Sequence, residues 1–173
     1  MDLAAHIRNI PDFPKPGVQF KDITTLLLNS QAFQHVINTW KDRYADKGVT
    51  AIVGGEARGF VFGAPLAYAM GLPFVLIRKK GKLPGDTFSV QFDLEYGTET
   101  FQIHTDALNP NDRAVLVDDL LATGGTMAGM AELVKRLGAE VVEIAFVIEL
   151  TFLHGRDKLG GLPVHSLVQY NGE

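Results

Sequence analysis

The chain has 173 residues, of which 46% are hydrophobic, and its formal net charge is −4. This length favours a single domain, and this apolar content excludes an intrinsically disordered protein. The chain contains no cysteine, so we expect no disulfide. Its mildly acidic charge argues against binding to nucleic acid. It has no apolar run near about 18 residues and no signal-peptide pattern, so we expect no association with membranes.

Apolar segments alternate with helical patterns along the chain, which predicts an α/β domain with a mainly parallel twisted sheet flanked by helices. The clearest helix spans 30–47, where apolar residues recur every three or four positions and Gly48 follows. Helices are also predicted at 126–138 and at 59–70, where Pro65 must lie in a first turn or at a kink. The predicted strands are 50–55, 72–77, 113–119, 140–150 and 163–169.

Residues 78–105 break this rhythm. The stretch RKKGKLPGD at 78–86 is basic and rich in glycine and proline, which is typical of a loop. Apolar and polar residues then alternate over 87–105, with Tyr96 and Gly97 near the middle, and this pattern predicts a hairpin with one exposed side. An excursion of this length in a compact domain is usually functional or disordered.

The stretch VDDLLATGGT at 117–126 carries the strongest chemical signal. Asp118 and Asp119 come at the end of a predicted parallel strand, where ligands of such sheets bind. The turn and helix start that follow offer backbone and hydroxyl donors for an anion. These donors come from Ala122, Thr123, Gly124, Gly125 and Thr126. Because two carboxylates suit sugar hydroxyls or a hydrated Mg²⁺, the stretch predicts a site for a phosphorylated pentose, although a simple tight turn remains the alternative.

VDDLLATGGT resembles the signature of the phosphoribosyltransferase family, two acids followed by a T-G-x-T turn. Other segments, spread over nearly the whole chain, resemble the adenine-specific branch of that family. They are IPDFPKPGVQFKDIT (10–24), GGEARGF (54–60), RKKGKLPG (78–85), LEYG (94–97) and IELTFLHGRDKL (148–159). The resemblance implies one domain over 1–173 with the type I phosphoribosyltransferase fold, a small hood at about 1–30 and a flexible lid at about 78–105.

The resemblance also implies an activity. The 5-phosphoribosyl group of 5-phosphoribosyl 1-diphosphate (PRPP) would be transferred to N9 of adenine, giving AMP and diphosphate in purine salvage. Mg²⁺ would arrive bound to PRPP, with no direct protein ligand and with Asp118 and Asp119 assisting through water. The enzyme would be a cytoplasmic homodimer, in which Arg78 and Lys82 reach the diphosphate in the partner's site.

Individual roles follow from the same resemblance. Glu95 in LEYG is expected to be the general acid/base, and Tyr96 to shape the closed lid. The 6-oxopurine enzymes carry an acid where Ala122 stands here, so their general base is missing from this chain. Diphosphate contacts are expected from Glu56, Ala57, Arg58, Arg78, Lys79 and Lys82, with a cis peptide bond at Glu56–Ala57 or Ala57–Arg58. Adenine contacts are expected from Val18, Phe20, Lys21 and Leu150.

Three alternatives stay open. A phosphoribosyltransferase for xanthine or for hypoxanthine and guanine is disfavoured by Ala122 and by the segment around Phe20. A nucleotide- or PRPP-sensing regulator is disfavoured by a sequence pI of about 5.7 and by the absence of a helix-turn-helix pattern. A receiver-type or flavodoxin-like module would not explain RKKGKLPG.

Overall fold

The computed structural model describes residues 1–93 and 97–172. The strands are β1 (Arg8–Pro11), β2 (Gln19–Asp22), β3 (Ala51–Gly55), β4 (Phe74–Lys79), β5 (Thr87–Asp93), β6 (Thr98–His104), β7 (Arg113–Leu121), β8 (Glu140–Leu150) and β9 (Val164–Tyr170). The α-helices are α1 (Thr24–Leu28), α2 (Ser30–Tyr44), α3 (Arg58–Met70) and α4 (Gly125–Arg136). Short 3-10 helices span Ala4–His6, Thr151–Leu153 and Gly155–Leu159.

Seven of these strands form one sheet in the order β5-β6-β4-β3-β7-β8-β9. Five neighbouring strands of this order, β4-β3-β7-β8-β9, pair in parallel. The hairpin β5–β6 adds two antiparallel strands at the β4 edge. The predicted fold class, a mainly parallel sheet with a hairpin excursion, is therefore confirmed.

Helices cover both faces of this sheet, so successive residues of a central strand are buried on opposite sides. In β7, for example, Leu116 packs into the core under α4, whereas Val115 and Val117 pack into the core under α2 and α3. Trp40 of α2 and Phe62 of α3 are fully buried in the second core. Two buried faces explain why the central strands are continuous apolar runs. Among the described helices, none has the length and apolar character that crossing a membrane requires.

The amino-terminal segment forms an antiparallel pair, β1 with β2, that the sequence did not predict. Arg8 donates two hydrogen bonds to the buried carboxylate of Asp22, at 3.0 and 2.5 Å. The rings of Phe13 and Phe20 meet edge to face with centroids 5.1 Å apart. These four-residue strands carry polar side chains, so no alternation marked them, and long-range contacts define them instead.

Two predicted strands were bounded wrongly by two residues. The strand β4 begins and ends two residues later than predicted, so Arg78 and Lys79 belong to a strand rather than to a loop. The strand β7 continues to Leu121, because pairing with β8 extends to the Leu121–Glu149 position. Pro65 lies well inside α3, so the first-turn alternative is wrong and the kink stays a prediction. Proline lacks an N–H, so α3 loses one internal hydrogen bond there, and packing of its buried face maintains the helix.

Candidate functional site

The central sheet reverses its strand order between β3 and β7. The chain leaves β3 through α3 to reach β4 on one side, and it leaves β7 through α4 to reach β8 on the other side. The carboxyl ends of β3 and β7 therefore border a crevice, which is where ligands of open α/β sheets bind. A cavity of about 540 Å³ lies at this place.

This cavity brings together most of the residues that the sequence predicted for the sugar, its phosphate and the diphosphate. They are Glu56, Ala57, Arg58, Lys79, Asp118, Asp119, Ala122, Thr123, Gly124, Gly125 and Thr126. Arg78 and Lys82 do not line it. Glu95 and Tyr96 lie outside the described residues, so their predicted roles stay predictions.

The loop after β7 (residues 122–126, called the anion cradle below) leads directly into α4. Gly124 is the N-cap residue, with a φ of 83°, and no side chain caps the helix or places an acid in its first turn. The N–H groups of this first turn thus keep their hydrogen-bonding capacity, and the helix dipole adds positive potential. A β-carbon on Gly124 would overlap the carbonyl oxygen of Gly155, so this close backbone contact requires glycine. The cradle suits a phosphate.

The acid pair lies beside the cradle. Asp119 is only 3% exposed, and its carboxylate lies 3.0 Å from Nε of Arg58. Its backbone N–H donates to the carboxylate of Asp118 at 2.9 Å. Burial raises the pKa of both carboxyl groups; the charge of Asp119 adds to the effect on Asp118, whereas Arg58 opposes it at Asp119. A buried and a half-buried acid with raised pKa values gain from hydroxyl donors or a cation.

The loop after β3 contains the expected cis peptide bond, at Glu56–Ala57, so that prediction is confirmed. The carboxylate of Glu56 accepts a hydrogen bond from the backbone N–H of Lys79 at 2.5 Å and lies 3.4 Å from Nη2 of Arg78. Nη1 of Arg78 lies 3.4 Å from the carbonyl oxygen of Lys82. Glu56 thus joins this loop to the end of β4 and orients two cationic residues.

Glu99 is a cavity residue that sequence reasoning missed. It lies in β6, and its carboxylate pairs with Nζ of Lys79 at 2.8 Å. The signal was present in the sequence, because Glu99 and Phe101 are two residues apart in a predicted strand and must share one of its sides. Lys79 is therefore compensated within the chain and would exchange this partner for an anionic ligand.

A second cavity of about 450 Å³ lies beneath the amino-terminal segment. Phe20 and Lys21 line it as predicted for the base, whereas Val18 and Leu150 are not among its lining residues. Asp22, which the prediction omitted, also lines it, and hydrogen bonds from Thr24, assisted by Arg8, lower its pKa to about 2. Arg58 lines both cavities. The apolar cavity beneath the amino-terminal segment therefore adjoins the cavity that contains the acid pair.

The acid pair also decides how a metal ion could be held. In residues 1–93 and 97–172, no group of three histidine, cysteine or acidic side chains is arranged to bind an ion. Asp118 and Asp119 offer oxygen donors from one wall of the cavity only. A Mg²⁺ ion, which keeps octahedral oxygen coordination, would need most of its ligands from water and a bound substrate.

Comparison with known proteins agrees with this geometry. The family described as phosphoribosyl transferase domain matches residues 22–160. The adenine phosphoribosyltransferase of Chloroflexus aurantiacus is 56% identical over 169 residues, covering 98% of each chain. The crystal structure of adenine phosphoribosyltransferase from Thermoanaerobacter pseudethanolicus superposes with a TM-score of 0.93 and 49% identity, covering 98% of each chain. That from Saccharomyces cerevisiae, complexed with D-2,5-dideoxy-2,5-imino-altritol 1,6-bisphosphate and adenine, has a TM-score of 0.91 and 40% identity over 96% of each chain.

Replacing Asp118 by Asn should stabilise the ligand-free chain at neutral pH. The pKa of Asp118 is raised in the folded chain above its ordinary value of 3.8. Its contribution to folding stability is therefore fully present when the pH is below 3.8, and it is lost as the pH rises and the group ionises. The amide does not titrate. We expect the melting temperature of Asp118→Asn to exceed the wild-type value by a few degrees at pH 7 and by less at pH 4, since about 1 kcal/mol corresponds to about 2–4 °C at this size.

The matched control is Asp106→Asn, which changes an exposed acid outside the cavity. It should leave the melting temperature unchanged at both pH values. A difference between Asp118→Asn and wild type that stays constant from pH 4 to pH 7, or that has the opposite sign, would contradict the raised pKa of Asp118.

Proposed function

The chain belongs to the phosphoribosyltransferase family, and we propose on that basis that it transfers the 5-phosphoribosyl group of PRPP to N9 of adenine, forming AMP and diphosphate in purine salvage. One observation carries this proposal. An anion cradle with an acid pair adjoins an apolar, aromatic cavity, and Arg58 lines both. A phosphorylated sugar and a planar base would meet at that boundary.

PRPP fits the larger cavity in one orientation. Its 5-phosphate would accept hydrogen bonds from the anion cradle, and its ribose hydroxyls would donate to Asp118 and Asp119. The diphosphate would then lie toward Arg58 and Lys79. Both cations are paired in the ligand-free chain, Arg58 with Asp119 and Lys79 with Glu99. Binding of the diphosphate would therefore exchange carboxylate partners for phosphate oxygens rather than fill a bare cationic site.

Adenine fits the second cavity, beneath the hood formed by about residues 1–30. The ring of Phe20 offers a stacking face, and Lys21 lines the same space. Val18 and Leu150 do not line this cavity. The contacts expected of them, from the backbone of Val18 to the base and from Leu150 to its opposite face, stay predictions. A site that accepts hydrogen bonds from the 6-amino group would reject a 6-oxopurine, because polar groups would be left unpaired.

Glu95 is the proposed general acid/base. The described residues on either side of it support this role: Phe92 and Glu99 line the cavity, and a β-carbon on Gly125 would lie 2.9 Å from the carbonyl oxygen of Asp93. As N9 attacks C1′ and diphosphate leaves, a proton of the purine must be held or removed by a positioned carboxyl group. The hairpin, with Tyr96, would also exclude water from the reacting carbon.

Mg²⁺ would enter bound to PRPP, with Asp118 and Asp119 as the residues that hold it, through water. A bound Mg²⁺ neutralises charge that develops on the leaving diphosphate. We further propose that the enzyme acts in the cytoplasm.

We also propose a homodimer whose interface includes the outer side of β4. Leu76 of β4 is 39% exposed and Tyr68 of α3 is 91% exposed, so both would lose water contact against a second copy. Arg78 points to the same side of β4 as Leu76, since alternate residues of a strand share a side. Arg78 and Lys82 would thereby reach the diphosphate of the partner's site.

The proposed reaction predicts formation of AMP and diphosphate from adenine, PRPP and Mg²⁺. Competition among adenine, hypoxanthine, guanine and xanthine, followed by chromatographic detection of the nucleotide products, measures base specificity. We expect AMP as the main product. Preferential formation of a 6-oxopurine nucleotide would assign the chain to another branch of the family, and absence of any nucleotide would refute the transferase.

The proposed role of Glu95 predicts a selective loss of turnover. In Glu95→Gln, kcat should fall about 10²- to 10⁴-fold, the range for general acid–base catalysis, while KM for PRPP changes little. Steady-state kinetics against Asp86→Asn, an exposed acid at the start of the same hairpin, measures the difference. Equal losses of kcat and PRPP affinity, or none, would remove the acid/base role.

The shared site predicts complementation between two inactive variants. Arg58→Ala and Arg78→Ala should each impair activity, whereas a mixed dimer should regain part of it, because one of its two sites would keep both arginines. Heterodimers isolated with two different affinity tags provide the measurement. If verified heterodimers stayed as inactive as the two parents, Arg78 would act within its own subunit.

A further inference from the structure

The short helix after β8 packs directly against the anion cradle. This helix (Gly155–Leu159, called the buttress helix below) begins where its backbone touches the cradle. A β-carbon on Gly155 would overlap the carbonyl oxygen of Ala122, and one on Gly124 would overlap the carbonyl oxygen of Gly155. Two glycines therefore bring backbone against backbone, with no flexible side chain between them.

The position of the buttress helix is set by a buried carboxylate. Glu149, near the end of β8, is 4% exposed. Arg156 of the buttress helix donates from Nε and Nη2 to its two oxygens, each at 2.6 Å. Ser166 of β9 adds a hydrogen bond at 2.5 Å, and a third bond from Arg156 goes to the carbonyl oxygen of Val164 at 3.3 Å.

The other end of the buttress helix is anchored by apolar packing. Leu159 is 3% exposed and belongs to the core that α4 covers. The buttress helix is thus fixed by Leu159 at one end and by the Arg156–Glu149 pair near the other. Neither Glu149 nor Arg156 lines the cavity, so the substrate contacts proposed above do not account for the pairing of buried Glu149 with the partly exposed Arg156.

We propose that Glu149 and Arg156 are positioning residues for the 5-phosphate, which they affect through the contact of the buttress helix with the anion cradle. A backbone cradle binds an anion well only when its N–H groups already point to one place, because ordering a loose loop costs free energy on binding. The buttress helix prevents residues 122–124 from relaxing away from the cavity. This inference rests on the proposed function, since it assumes that the cradle binds the phosphate of PRPP.

Loss of the Arg156–Glu149 pair should weaken the binding of ligands that carry a 5-phosphate. It should not change the affinity for a ligand that does not contact the anion cradle. Isothermal titration with ribose 5-phosphate and, separately, with inorganic diphosphate tests this on the full chain. In Arg156→Ala the dissociation constant for ribose 5-phosphate should rise about 10- to 100-fold, as small misplacements in a binding site do. The constant for diphosphate should stay within about twofold. In turnover, KM for PRPP should rise more than kcat falls.

Two milder variants test whether the loss of affinity in Arg156→Ala is caused by unfolding. Arg156→Lys keeps the charge but loses the two-pronged geometry, and Glu149→Gln keeps the shape but loses the charge, so both should give intermediate losses. The matched control is Arg113→Ala, which removes another arginine–glutamate pair, with Glu140, at the opposite end of the sheet. Its affinity for ribose 5-phosphate should equal that of the wild type.

Two results would overturn the positioning role. One is unchanged ribose 5-phosphate binding in Arg156→Ala, and the other is an equal loss for ribose 5-phosphate and diphosphate, which would indicate general damage. Either result, with AMP formation intact in the wild type, leaves the proposed function standing. If the wild-type chain bound no ribose 5-phosphate, both the cradle assignment and the positioning role would be wrong.

Discussion

β3 and β7 lie side by side and run in the same direction, but the chain leaves them toward opposite edges of the sheet. The segments that follow the two strands face each other across the space above their carboxyl ends. Arg58, the first residue of α3, lies on one side, and the acid pair at the end of β7 lies on the other side with the anion cradle. The ion pair between Arg58 and Asp119 joins the start of α3 to the end of β7 at 3.0 Å. Every proposed ligand contact is arranged around this junction.

Three cationic residues at or beside the cavity are each paired with a carboxylate of the same chain. Arg58 pairs with Asp119, Lys79 with Glu99, and Arg78 with Glu56. Such pairing limits the cost of placing many ionisable groups around one cavity, since an unpaired buried charge is strongly destabilising. It also implies that an anionic substrate binds by competition with these carboxylates. Specificity would then include a requirement for enough negative charge to displace them.

Much of this arrangement could be predicted from local patterns. Apolar periodicity located α2 and the central strands, and VDDLLATGGT located the cradle, because a parallel strand, an acid pair and a glycine turn are all short-range features. Glu99 was missed although alternation in β6 indicated its side. The pairing of β1 with β2, the buried Asp22 and the Gly124–Gly155 contact could not be predicted, because each joins residues distant in the chain and has no local period.

The N–H donors of the anion cradle belong to peptide groups, whereas its hydroxyl donors belong to the side chains of Thr123 and Thr126. A side-chain exchange cannot delete an N–H donor unless it introduces proline. Harmful changes in this loop are therefore those that add atoms, as at Gly124, where the neighbouring carbonyl leaves no room for a methyl group. Variation at Thr123, whose side chain is exposed, should by contrast alter the site only gradually. Gly124 is therefore constrained twice, by the lack of space for a side chain and by its positive φ.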